Sequence, residues 1–204
     1  MHNTEQFWQW FTNHNEQLIM LGDMSEQQRT DLEKTLQEEL TAYCDGLSYE
    51  MGDPTPNGRR LTFSAEGDTE LFSHVVDLVD TAPDLDWWEF VAFRQAVETP
   101  VIVRFGPYSF NTSQMHFMQL ECEEEPDILG LRIAMADPKP DDEDQLVGLY
   151  TTIETIIGEF DCATLVGYME ACPLPAEPFK EGFRPLNDLP QFVEWFKQQR
   201  DADA

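Results

Sequence analysis

Apolar residues recur along this chain with two periods, and the switching between them predicts the order of its elements. In EQFWQWFTNHNEQLIML, Phe7, Phe11, His14, Leu18 and Leu21 share one helical face. A second helix is announced by SEQQ, in which Ser25 can cap and Gln28 can reach back to it. Leu32, Leu36, Leu40 and Tyr43 form its narrow apolar stripe, with Asp31, Glu33, Glu38 and Glu39 on the other faces. The short GDM link makes the two an antiparallel helical hairpin.

Period two then takes over. In LSYEM, Leu47, Tyr49 and Met51 alternate with polar neighbours, and in RRLTFSAE so do Leu61, Phe63 and Ala65. The turn-rich GDPTPNG between them predicts a hairpin with a long loop. Asp68 can cap a helix carrying Phe72, Val75, Val76 and Val79, which Pro83 ends. WWEFVAF is apolar at six of its seven positions, the pattern of a strand covered on both faces. That places at least one of Trp87 and Trp88 in the core and leaves Trp87 a binding candidate where a cleft opens beside it.

The same order returns further on. MHFMQLE and LGLRIAM predict two strands, DDEDQLVGLYTTIETIIG a helix, and ATLVGYMEA (163–171) a strand after Gly158. VIVRF is a further short strand between the two runs, and CPLPAEPFKEGFRP an extended connection. Asn187 or Asp188 can cap a last helix with Phe192, Val193, Trp195 and Phe196. The fold class is therefore α+β. An N-terminal helical hairpin, two ββαβ-like units at 47–93 and 115–171 forming one or two mixed sheets, and a C-terminal helix make up a single compact domain, 1–204.

Charge changes the picture of the surface. Forty acidic residues face twelve basic ones, a net of −28 shared by both halves of the chain. Such a field repels nucleic acid and anionic membranes and speeds encounter with basic partners. It equally suits a salt-rich cytosol that screens the self-repulsion. With 41% apolar and 12% aromatic residues, a core can form without disulfides or metal. Cys44, Cys122, Cys162 and Cys172 have neither CxxC nor zinc-type spacing, and no stretch reads as a signal peptide or a membrane span. These features predict a cytoplasmic protein with reduced thiols, without cofactor or metal.

Candidate chemistry is sparse. His2, His14, His74 and His116 lack the spacing of a helical zinc site, and neither a nucleophile elbow nor a phosphate loop occurs. Glu159 and Asp161 in GEFD could supply a pair of carboxylates for acid–base work, or simply accept turn N–H bonds. Arg94, Arg104 and Arg132 sit among apolar residues, where a guanidinium either pairs with a carboxylate or reads an anion in a cleft. Two acidic loops flank the strand 129–135. Glu123, Glu124 and Glu125 stand before it, and Asp141, Asp142 and Asp144 after it. They are solvated turns, helix-favouring acids, or carboxylates presented in place of phosphates.

Three segments together, FWQWFTNHNEQL, LFSHVVDLVDTAPDLDWWEFVAFR and IIGEFDCATLVGYME, resemble an uncharacterised family of bacterial proteins. Its members share an aromatic N-terminal helix, an AP-x-L-x-x-W junction and a GE-[FY]-D turn. The resemblance covers most of the chain and its motifs are structural. It implies a bacterial cytoplasmic origin and carries over no functional residue. The function expected is a non-catalytic module binding a basic protein or a small ligand. An immunity-type inhibitor of a basic toxin or nuclease, and a carboxylate-dependent hydrolase, are the alternatives.

Overall fold

A computed structural model describes residues 3–120, 125–139 and 141–203. Glu123 and Glu124 of the first acidic loop lie outside these. The chain divides into two compact units, 1–94 and 95–204. The α+β class holds, with the N-terminal helices, the mixed sheets and the C-terminal helix in the expected order.

In the first unit, α1 (Thr4–Ile19) and α2 (Glu26–Tyr43) each start with a capping box. The one at Ser25 and Gln28 is as the sequence predicts, and a second pairs Asn3 with Gln6. β1 (Ser48–Met51) and β2 (Arg59–Ser64) pair antiparallel; α3 (Phe72–Asp80) then crosses to β3 (Trp88–Ala92), which runs parallel to β2. Asp68 caps a short 3-10 turn, Thr69–Leu71, rather than α3 itself. The register puts Tyr49, Phe63 and Ala92 on one face with Leu61, Phe90 and Trp88. α1 lays Phe7, Trp8 and Phe11 edge-on against Phe63, Phe90 and Trp88, with ring centroids 4.6–5.8 Å apart. Trp8 Nε1 donates to the Leu78 carbonyl over 2.8 Å, and the Tyr43 hydroxyl to that of His74 over 3.0 Å. These bonds tie α1 and α2 to α3, and each gives a buried polar atom its partner. His14, half-buried, stacks on Trp10 and bonds to its carbonyl.

The WWEFVAF run differs from expectation. β3 is an edge strand, in the order β1-β2-β3, and its second face joins half-buried Val91 to Glu89, which is exposed and grips Arg60 through two bonds of 2.9 and 3.1 Å. Trp88 packs into the core through Phe11. Trp87 stands before the strand, 60% exposed, with a left-handed backbone (φ 72°).

The second unit opens with a hairpin of β4 (Ile102–Phe105) and β5 (Tyr108–Asn111); β5 was not legible in the sequence. β6 (His116–Leu120) and β7 (Leu129–Met135) pair antiparallel, and α4 (Glu143–Ile157) and α5 (Glu159–Leu165) cross over to β8 (Val166–Pro173), parallel to β7. The antiparallel-then-parallel ββαβ topology thus occurs in both units. The strand expected from residue 163 is corrected. Gly158 (φ 86°) ends α4 and starts α5, whose Glu159, Cys162 and Leu165 are buried at helical spacing. The proline-rich connection contributes a 3-10 turn, Pro178–Glu181, and a two-residue strand, β9 (Arg184–Pro185), which pairs with β6. α6 (Leu189–Asp203) follows. One face of the β8-β7-β6-β9 sheet carries Phe117, Leu131, Ile133 and Met169 into a core with Leu149, Ile153 and Ile156 of α4 and Phe192, Val193 and Phe196 of α6.

Candidate functional site

The opposite face of that four-stranded sheet is built from three cross-strand rows. They are His116–Ala134–Cys172, Met118–Arg132–Glu170 and Leu120–Gly130–Tyr168. Period two along each strand places them together once the register is set. Arg132 Nε donates to Glu170 Oε1, and the Tyr168 hydroxyl donates to Glu170 Oε2 over 2.9 Å. The guanidinium therefore pairs across strands, as an arginine among apolar neighbours must. Its hydrogen bond, with that of Tyr168, holds the Glu170 carboxyl below the usual carboxylate range. The same bond pushes the Tyr168 phenol up. Aromatics flank this polar centre: Tyr168 is 54% exposed on β8, and Phe179, 71% exposed, meets the His116 ring edge-on at 5.7 Å. At the β6 edge of the sheet, a depression of about 170 Å³ is lined by residues of both faces: Phe117, Met118, Gln119, Gly182, Arg184 and Phe192. That is below the range of small-molecule pockets, about 300–1,000 Å³.

The other candidate residues are distributed elsewhere. Arg94 bonds Glu66 at 2.9 and 3.2 Å and Glu50 at 3.4 Å on the polar face of the three-stranded sheet. The hydrogen bonds from the Arg94 guanidinium hold the Glu66 carboxyl below its ordinary value. Arg104 is exposed on β4, in a different sheet from Arg132. Glu159 is fully buried at the start of α5. Asp161 accepts from Lys197 Nζ at 2.8 Å and so is held by α6. Asp142 caps α4 and accepts from Tyr108, whereas Glu125, Asp141 and Asp144 are exposed. The two acidic loops adjoin opposite ends of β7.

Among the described residues, nucleophile and metal chemistry gain no support from the side chains; Cys122 lies outside them. Burial pushes the Cys162 thiol up to about 12, and also raises Cys44 and Cys172, away from the thiolate that reacts. Among the described residues no group of three or more His, Cys, Asp or Glu is placed to hold a metal ion. Nor, among them, is any helix long and apolar enough to cross a membrane.

Sequence reasoning found Arg132 but missed Glu170, Tyr168, Met118 and Phe179. The alternation in GYMEA marks Tyr168 and Glu170 as sharing a face. Which strand that face adjoins is a matter of register, which no local pattern contains. Comparisons with protein-family models, curated proteins and solved structures find no match to this chain.

Proposed function

We propose that this protein is a non-catalytic binding module that seats a basic partner protein on the face carrying Arg132, Glu170 and Tyr168. The observation that supports this most is the pair of exposed rings, Tyr168 and Phe179, around a hydrogen-bonded polar centre. Aromatic anchors beside a satisfied polar group are the composition of a protein-binding patch. The net charge of −28 favours a basic partner by steering its approach. The setting that goes with this function is a bacterial cytoplasm, in keeping with the family resemblance.

A narrower form is an immunity-type inhibitor of a basic toxin or nuclease, in which exposed Glu125, Asp141 and Asp144 stand where phosphates would. The hydrolase alternative has less behind it, because Glu159 is buried and Asp161 is bound to Lys197.

The test compares the wild-type protein with Y168S/F179S as baits in the lysate of the source organism, at low and high salt. Both positions are exposed, so the double variant keeps its fold. One stoichiometric basic protein, retained at low salt by the wild type and lost from the double variant, is expected. A partner held equally by both baits moves the site elsewhere, and no partner at either salt ends the proposal.

A further inference from the structure

A second concavity lies wholly within the first unit. A groove of about 530 Å³ runs along α1 and faces the turn between α3 and β3, with Glu5, Trp8, Gln9, Thr12, Asn13 and Thr81 among its lining. The α1 residues recur at helical spacing and so form one continuous stripe. The volume falls within the range of small-molecule sites.

The lining chemistry selects the ligand. Glu5, Gln9 and Asn13 are exposed, and their side chains make no hydrogen bond to any described residue. One carboxylate and two amides therefore offer acceptors and donors to whatever enters. The Thr81 hydroxyl donates to the Asp77 carbonyl over 2.7 Å, which leaves its oxygen able to accept. Among the described lining residues there is no Lys, Arg or His, and the net charge of −28 adds to the repulsion of an anion by Glu5. A cation finds one solvated carboxylate and no open aromatic face. Trp8 is only 4% exposed, and the rings of Phe7, Phe11, Phe63 and Phe90 surround it at 4.6–5.8 Å. What remains complementary is a neutral molecule with many donors and acceptors. We propose that this groove binds a neutral, hydroxyl-rich small molecule of the saccharide class.

The site is independent of the sheet face above and is tested on the full chain by ¹H–¹⁵N NMR titration. Maltose and trehalose are the neutral probes, spermidine the cation and citrate the anion. Saturable shifts of the Gln9 and Asn13 side-chain amides with a disaccharide, in the millimolar range, are expected. In Q9A/N13A, backbone shifts at Thr12 and Thr81 should report binding about tenfold weaker or absent. Both exposed helical positions accept alanine, the best helix former, so the variant folds. Absence of a saturable shift with either disaccharide, or unchanged affinity in Q9A/N13A, overturns the proposal. Saturation by spermidine or citrate in place of the sugars overturns the assigned ligand class.

Discussion

The Tyr108 hydroxyl donates to Asp142 Oδ2 over 2.6 Å, while Asp142 Oδ1 accepts from the Gln145 amide at the start of α4. One carboxylate thus caps a helix and holds the β4–β5 hairpin to it. The Tyr108 bond, then the Gln145 amide, keep the Asp142 carboxyl below its usual range. Its folded value lies under its unfolded one, so its contribution is complete above about pH 4 and is lost as pH falls through the folded value. In Y108F the midpoint of Asp142, followed by carboxyl ¹³C NMR, should move up and stop short of the free value because the Gln145 bond survives. An unmoved midpoint would show that Tyr108 does not act on it.

Gly148 is where α4 receives the hairpin. A Cβ there would lie 2.6 Å from Phe110 Cε2 and 2.9 Å from Phe105 Cβ. Alanine is intrinsically better in a helix by about 1 kcal/mol, but overpacking a core costs about 1–3 kcal/mol. Phe110 is buried and cannot swing out, so packing wins. Urea unfolding of G148A should show a net loss of about 1–2 kcal/mol. A variant as stable as the wild type would mean that the Phe110 ring has room to move.

Lys197 fastens α6 to α5 through Asp161, and both side chains are mostly buried. Burial opposes the lysine charge, and its bonds to Asp161 and Glu194 outweigh that cost, so its pKa stands above the usual value. The stabilisation is therefore full below about pH 10 and is lost as pH rises through the folded value. K197M should lose about 1–2 kcal/mol, between an exposed and a buried pair. A double-mutant cycle with D161N should return a coupling of about 1 kcal/mol. Zero coupling would reduce the contact to coincidence.

How much of this was legible follows the range of each interaction. The Ser25–Gln28 box, the stripes of α1 and α2 and the alternation in β1 and β2 lie within a few residues, and all were readable. The ββαβ order was readable twice because a parallel pair needs a crossover. At 159–171 local signals conflicted. EFDCATL and VGYMEACP are both apolar enough for a strand, and burial of Glu159, Cys162 and Leu165 made the first a helix. The WWEFVAF run misled for a related reason: an apolar run reports contact with something apolar, not the place of a strand in its sheet.

By itself, then, the sequence determined the α+β class, the order of most elements, their caps and a net charge of −28. Each of these depends on side chains close along the chain or on total charge. The tertiary structure alone decided that β3 lies at an edge, that Arg132 meets Glu170 and Tyr168, and that Thr81 faces the α1 stripe across a groove. Arg132 and Glu170 stand 38 positions apart, and only the β7–β8 register joins them. Register is set by burial summed over the whole sheet, and no stretch of sequence contains that sum.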